Sequence, residues 1–393
     1  MPNFDTSAAL EAAFPSVNSR ESADFSMLCT KAGEAVSDPD SDDRERTMVH
    51  GVGFVGSGPG VSALHLPTVA RMADRFRVVH IADAGSGRAS TLADRVGARS
   101  SSGLDELLTD PEVEVVALCS PPAQHAEQLL ACVAAGKRAV MCEKPIALTA
   151  ADAERVIDAC RAAGTVLVVG TNHLFDPAWG RAKHHLDAGG GPVHSVAVTV
   201  SLPPNGRYHE LVTEYVGELT SPRRPPAELD AAMQASIVRQ LVTGLGIHDL
   251  PALRDVVPRL DEVIFARFVP PLGYVIGVRG GETLVTLAAT MVPAGAEALW
   301  RMSIVTDIDH LDVEFPPAFV HAGSARARVW AADGRYTEYR PDVDDGYLAE
   351  WRSLADLLER GRAVEYDHIL DDALFAVDLA DAAHAAVLVG HGA

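Results

Sequence analysis

Gly51-Val52-Gly53-Phe54-Val55-Gly56-Ser57-Gly58-Pro59-Gly60 reads as a short apolar strand that runs into a glycine turn, and a helical pattern over 63–76 follows at once. Glycines at 56, 58 and 60 let the backbone bend sharply and approach a pyrophosphate, whose charge then rests on the free amides and dipole of the helix start. Such a turn also serves ordinary purposes, so the next strand carries more weight. That strand, 77–82, ends in Asp83, where an acid accepts hydrogen bonds from an adenosine ribose. An acid there repels a ribose phosphate, which favours NAD over NADP. Arg88 is within reach of such a phosphate, but it reads as a first-turn residue of the helix beginning Arg88-Ala89-Ser90-Thr91-Leu92.

The strand-then-helix period repeats downstream. A strand over 113–119 breaks at Ser120-Pro121-Pro122 before a helix over 123–135, and Gly136-Lys137-Arg138 closes that helix with the residues that suit a C-terminus. Ala139-Val140-Met141-Cys142 then leads into Glu143-Lys144-Pro145, a helix over 148–163 and a strand over 165–170. This alternation predicts a parallel sheet, and 48–172 is assigned as a Rossmann dinucleotide-binding domain. Strand ends of such a sheet point into the ligand crevice, so Lys144 is delivered there as a chemical group. Pro145 weakens the trans preference of the bond before it, which makes a cis peptide a candidate.

Beyond Asp176-Pro177 the strands lengthen: 193–200, 262–269, 274–278, 283–291, 299–306 and 325–330. They predict a large, mostly antiparallel sheet in a C-terminal α+β domain over 173–393, so the fold class is α/β with two domains. Helices over 177–186, 237–257, 347–358 and 369–387 are expected to cover one face of that sheet, and a second subunit the other. The segment 1–47, charged around Ser37-Asp38-Pro39-Asp40-Ser41-Asp42-Asp43, is expected to be a disordered leader. It has no basic start followed by an apolar run, so it does not read as a secretory signal, and Met48 raises the hypothesis of a translation start at the first strand. A net charge of -21 gives no support for nucleic acid or anionic membrane as partner. No apolar stretch approaches the roughly 18 residues that span a bilayer. The five cysteines lack metal-ligand spacing and read as reduced packing residues, so no metal is expected and a cytoplasmic protein is.

Several of these motifs, together with His65-Leu66-Pro67, Phe175-Asp176-Pro177 and Gly246-Ile247-His248-Asp249, resemble the glucose-fructose oxidoreductase and inositol dehydrogenase (Gfo/Idh/MocA) family. The resemblance implies hydride transfer between a nicotinamide and the carbinol or keto centre of a sugar, cyclitol or related polyol. It implies that Lys144 and His248 hold the reacting hydroxyl and move its proton. Gly56, Ser57, Gly58, Pro59, Gly60, Asp83, Ser120, Pro121, His125, Glu143 and Lys144 fall on the cofactor side, and a homodimer or homotetramer forms through the C-terminal sheet. The chain departs from the family at Gly244, four residues before His248, where an aspartate is usual, and at Pro251, where a second acid is expected. It also reads Asn172-His173-Leu174 where the family has an arginine before Phe175. Asp249 is then the only local carboxylate, and Asn172, His173 and Asp249, with Arg207 and Tyr208 in the long loop after 200, are substrate candidates. Two rival readings remain: a non-catalytic dinucleotide-binding sensor, and a reductase of an imine or nucleotide-linked keto sugar.

Overall fold

Every residue of β1 (His50–Val55) and β4 (Val115–Leu118) is buried, as strands covered on both faces must be. With β2 (Phe76–Asp83), β3 (Arg99–Ser102), β5 (Ala139–Glu143) and β6 (Val166–Gly170) they form a parallel sheet in the order β3-β2-β1-β4-β5-β6. The order reverses between β1 and β4, which places the ligand crevice outside the carboxyl ends of those two strands. The computed structural model describes residues 48–203, 229–291, 297–318 and 320–390, so the leader and the loop carrying Arg207 and Tyr208 lie outside the described residues. The helix expected over 63–76 is shorter: a π-helical turn, Val61–His65, passes into Leu66–Arg71 before β2 begins.

The second sheet runs β14-β13-β12-β11-β7-β10-β9-β8, with β7 (Val193–Leu202), β8 (Glu262–Phe268), β9 (Gly273–Gly280), β10 (Thr283–Met291), β11 (Leu299–Thr306), β12 (Asp309–Glu314), β13 (Arg326–Ala331) and β14 (Tyr336–Tyr339). All its pairs are antiparallel except β7 with β10. The helix expected over 237–257 is broken into Ala231–Gly244, a 3-10 turn at Gly246–His248, and Leu250–Arg254. Glycines at 244 and 246 weaken the first helix and Pro251 starts the next. The break sets His248 and Asp249 in a tight corner.

One helix is misplaced by the sequence reading. Gly346–Arg360, expected over the antiparallel sheet, instead inserts Leu348, Trp351, Leu354, Ala355 and Leu358 into the core of the parallel sheet, among Phe54, Phe76, Val115 and Met141. The Trp351 ring stands edge-on to Phe76 with centroids 5.1 Å apart. The apolar stripe at helical spacing could serve either sheet, and only a large aromatic pocket accepts Trp351. The last helix, Tyr366–Val389, packs Ala373 on the parallel-sheet side and Phe375, Leu379, Ala383 and Val387 on the second sheet, joining the two cores.

Candidate active site

Gly56 opens the crevice with φ +115°, and a Cβ there would lie 2.5 Å from the Cys119 carbonyl oxygen, so only glycine lets β1 turn beside β4. A Cβ at Gly58 or Gly60 would meet nothing within 4 Å, so the turn has an open face. That space leaves the turn open to a pyrophosphate. Ser57 Oγ donates to Asp83 Oδ2 at 2.7 Å, and the same carboxylate accepts from the Gly85, Ser86 and Ala89 amides and from the Ser86 hydroxyl. Burial opposes its ionisation, yet the donors from Ser86, Ser57, Gly85 and Ala89 outweigh burial and hold Asp83 at about 2. Asp83 is therefore an anion across the ordinary pH range and ties the glycine turn to the loop where a ribose would lie.

His125 is fully buried and bridges the Ser120 and Pro145 carbonyl oxygens, each at 2.8 Å, so it braces the ends of β4 and β5 together. Ser120 Oγ turns to Gln128 at 2.5 Å. At the end of β5, Glu143 accepts from His65 Nε2 at 2.8 Å and from the Lys144 amide at 3.2 Å. Burial disfavours charge on His65, while Cys119 and Glu143 pull the other way. The Trp351 indole N–H, which can only donate, nevertheless points at His65 Nδ1 from 3.2 Å. The indole decides, because an imidazolium would set two donors against each other. His65 is the neutral Nε2–H tautomer.

The Lys144-Pro145 peptide is cis, and Lys144 Nζ donates to the Gly244 carbonyl oxygen at 2.9 Å. The backbone at position 244 thus meets the lysine where the family resemblance calls for an aspartate side chain. Burial lowers the Lys144 pKa against the opposing pull of Glu143 and Glu350. Glu350, on the helix Gly346–Arg360, is a carboxyl near the lysine that the sequence reading did not select.

Two dipeptides brace each other crosswise on the far wall. His248 Nδ1 meets Asn172 Oδ1 at 2.6 Å, and His173 Nδ1 meets Asp249 Oδ1 at 2.9 Å. The amide oxygen can only accept, so His248 carries its proton on Nδ1, and Nε2, with no partner among the described residues, offers a lone pair. Burial, then the neighbouring Lys144 and His173, keep the His248 pKa well below the usual histidine range. Asp249 also takes the Trp300 indole N–H at 2.8 and 2.9 Å, and the His173 ring stacks on Phe315 at 3.9 Å. A Cβ at Gly346 would lie 1.9 Å from the Asn172 carbonyl oxygen, so the helix carrying Glu350 starts directly against this wall. The structure therefore gathers Asn172, His173, His248 and Asp249 into one buried cluster, with Lys144 near His248.

The Gfo/Idh/MocA model, described as an oxidoreductase family with an NAD-binding Rossmann fold, matches residues 50–171. The chain is 32% identical to the inositol 2-dehydrogenase of Salmonella typhimurium over 306 residues, 72% of this chain and 88% of that protein. It is 34% identical to inositol 2-dehydrogenase 2 of Saccharopolyspora erythraea over 209 residues, and there it spans about half of the relative, 53% of its length. Among solved structures, a 3-ketoreductase from Actinomadura kijaniata in complex with NADP and TDP-benzene superposes with a TM-score of 0.67 at 19% identity, covering 86% of this chain and 98% of that one. GenD2 from gentamicin A biosynthesis, in complex with NAD, gives 0.64 at 20% identity over 88% and 96%. At these identities the superpositions establish the shared fold.

Proposed function

Because the chain belongs to the Gfo/Idh/MocA oxidoreductase family, with its NAD-binding Rossmann fold, we propose that it transfers hydride between NAD and the carbinol or keto centre of a sugar, cyclitol or related polyol. The carrying observation is Lys144, whose burial favours the neutral amine, facing a wall where neutral His248 offers its Nε2 lone pair. The turn Gly56 to Gly60 would hold the pyrophosphate and Asp83 the adenosine ribose. Bound NAD supplies the hydride acceptor and no proton-handling group, so the protein must move the proton. Lys144, brought down towards neutrality by burial, is better matched to accept the hydroxyl proton than His248, which is too weakly basic to keep it. His248 Nε2 orients the substrate by accepting from a hydroxyl, and the ammonium formed on Lys144 stabilises the developing alkoxide. In reduction the same groups return the proton.

The test is NADH formation with a panel of cyclitols and sugars, myo-inositol included, followed by absorbance. Turnover on at least one polyol is expected. Tight calorimetric binding of NAD with no turnover on any would reject the enzyme in favour of a sensor. Asp83→Ala is expected to weaken NAD binding about tenfold to a hundredfold, the loss of charge-assisted bonds to a ribose, with NADP less affected. An unchanged NAD to NADP ratio of dissociation constants would remove Asp83 from the site.

A homodimer or homotetramer through the second sheet belongs to the same proposal. Its register aligns Leu284, Ser195, Val305, His310, Trp330 and Tyr336 in one row across the sheet. Leu284, Val305, Trp330 and Tyr336 from that row are all exposed large hydrophobics. A row of this kind marks an interface. Light scattering should find at least a dimer, and Trp330→Glu should reduce it; a monomeric native protein would reject the interface.

A further inference from the structure

Glu350 has no accessible surface, and neither of its carboxyl oxygens finds a hydrogen-bond partner among the described residues. A dry carboxylate without a partner is too costly to keep, and even a neutral acid there forgoes hydrogen bonds that water would give. Its neighbours on the same helix leave it little alternative. Tyr347 directs its hydroxyl to the Ala318 carbonyl, Trp351 is committed to His65, and Asp345 caps the helix at the Leu348 amide and takes His321. Facing it from β5 are Glu143, already engaged by His65, and Lys144. The charged or titratable groups around Glu350 are thus Lys144, Glu143, Asp345 and Tyr347, with His65 and His321 behind the two acids.

We infer that Glu350 is a positioning residue held as a carboxylic acid near Lys144, so that it sets no second anion beside the lysine, which rests as a neutral amine ready to accept from the substrate. The two arrangements, ammonium with carboxylate and amine with carboxylic acid, contain the same number of protons. The dry site selects the uncharged one, since separated charges lose most by burial. Glu143, itself held as an anion by its His65 and Lys144 contacts, makes a second anion beside it unfavourable. A neutral amine still donates one N–H to the Gly244 carbonyl and keeps its lone pair for the hydroxyl. When the alcohol reacts, its O–H bond breaks, an N–H bond forms on Lys144, and the carbon's hydride is taken by NAD. Lys144, which is partly exposed, then releases that proton to solvent while the enclosed Glu350 keeps its own, so the site gains no net charge from the alcohol proton. In this chain the acid that tunes the lysine therefore comes from a helix more than two hundred residues beyond it, in place of the aspartate missing at Gly244.

The inference rests on the proton-handling reading of Lys144, and it is tested first without any reaction. Infrared difference spectra of the wild-type protein against Glu350→Gln at neutral pH should show the carbonyl stretch of one protonated carboxylic acid, lost in the variant. The absence of that band overturns the inference whatever the enzyme turns over. Stability gives a second readout. Burial, Glu143 and Asp345 push the Glu350 pKa well above the carboxyl range while Lys144 pulls it down. At Glu350 the folded protein keeps a proton that the unfolded chain releases, a contribution that costs stability as pH rises above the unfolded carboxyl value and that the lowered Lys144 pKa offsets in wild type. Glu350→Gln lacks this liability, so its melting temperature relative to wild type should climb between pH 5 and pH 8. A gap that stays flat, or shifts the other way, overturns the inference. In kinetics, Glu350→Gln, neutral like the acid it replaces, should leave the acidic limb of kcat/KM for alcohol oxidation where wild type has it. A limb that moves to lower pH in Glu350→Gln would mean that Glu350 is an anion favouring the ammonium, and would end the proposal.

Discussion

Lys144→Met is expected to lower kcat for polyol oxidation about a hundredfold to ten-thousandfold, the usual worth of a positioned acid–base group, while NAD binding stays within a few-fold of wild type. Methionine keeps the apolar stem and removes only the nitrogen, so β5 and its packing should survive. Among the described residues the nitrogen has one hydrogen bond, to the Gly244 carbonyl, and its loss leaves one acceptor to be met by water. Stopped-flow measurement of the chemical step, with calorimetric titration of NAD, separates the two effects. A variant within tenfold of wild type in the chemical step would pass the proton role to His248. Arginine is no rescue, because a guanidinium cannot be neutral at working pH and so cannot accept the proton. The asymmetry between Met and Arg is itself informative: both should be inactive, Met for want of the base and Arg for want of its lone pair.

The sequence made the glycine turn, Asp83 and Lys144 legible because each is a local signal: a residue type at the end of a strand, read within a window of about ten positions. Nothing local tells that Asn172 will face His248 or that His173 will face Asp249, since each pair is 76 residues apart. Neither dipeptide belongs to a regular element long enough to impose a period. β12 and β14 were missed because Asp309–Glu314 and Tyr336–Tyr339 carry too many polar side chains to stand out, and β3 (Arg-Ser-Ser-Ser) shows no apolar run. The continuous helix over 237–257 failed at Gly244, Gly246 and Pro251, residues whose helix-breaking chemistry was visible and underweighted. Glu350 also left a trace. It stands three residues after Tyr347 and four before Leu354, inside an otherwise apolar stripe. A charge in such a stripe is either an error of assignment or a buried functional group, and the helix is real.

The crosswise wall predicts the second large effect, in Asp249. Replacing it by alanine should cost about 3–5 kcal/mol, the range for removing one member of a buried charged pair, and should lower kcat/KM by at least about tenfold. Asp249 is 1% exposed and, among the described residues, is the only acceptor for two buried donors, the His173 Nδ1–H and the Trp300 indole N–H. His173 Nε2 already has no partner among the described residues. Without Asp249 the whole ring would sit unsatisfied, pinned between Phe315 and Trp300 where it cannot turn to water. Asn172 lies next to His173 and fixes the His248 tautomer, so a shift of His173 reaches the lone pair that orients the substrate. Asp249→Asn sharpens the test, because it keeps the volume while offering one oxygen and an N–H₂ group to partners that are both donors. Urea unfolding should place asparagine between wild type and alanine, and a double-mutant cycle with His173→Leu should recover a coupling of about 1–3 kcal/mol. An asparagine variant equal to wild type in stability and kcat/KM would mean that neither N–H needs a carboxylate, and that the wall is held by packing around Trp300 and Phe315. The double mutant separates these cases, since removing the His173 donor together with Asp249 leaves only the Trp300 N–H to satisfy.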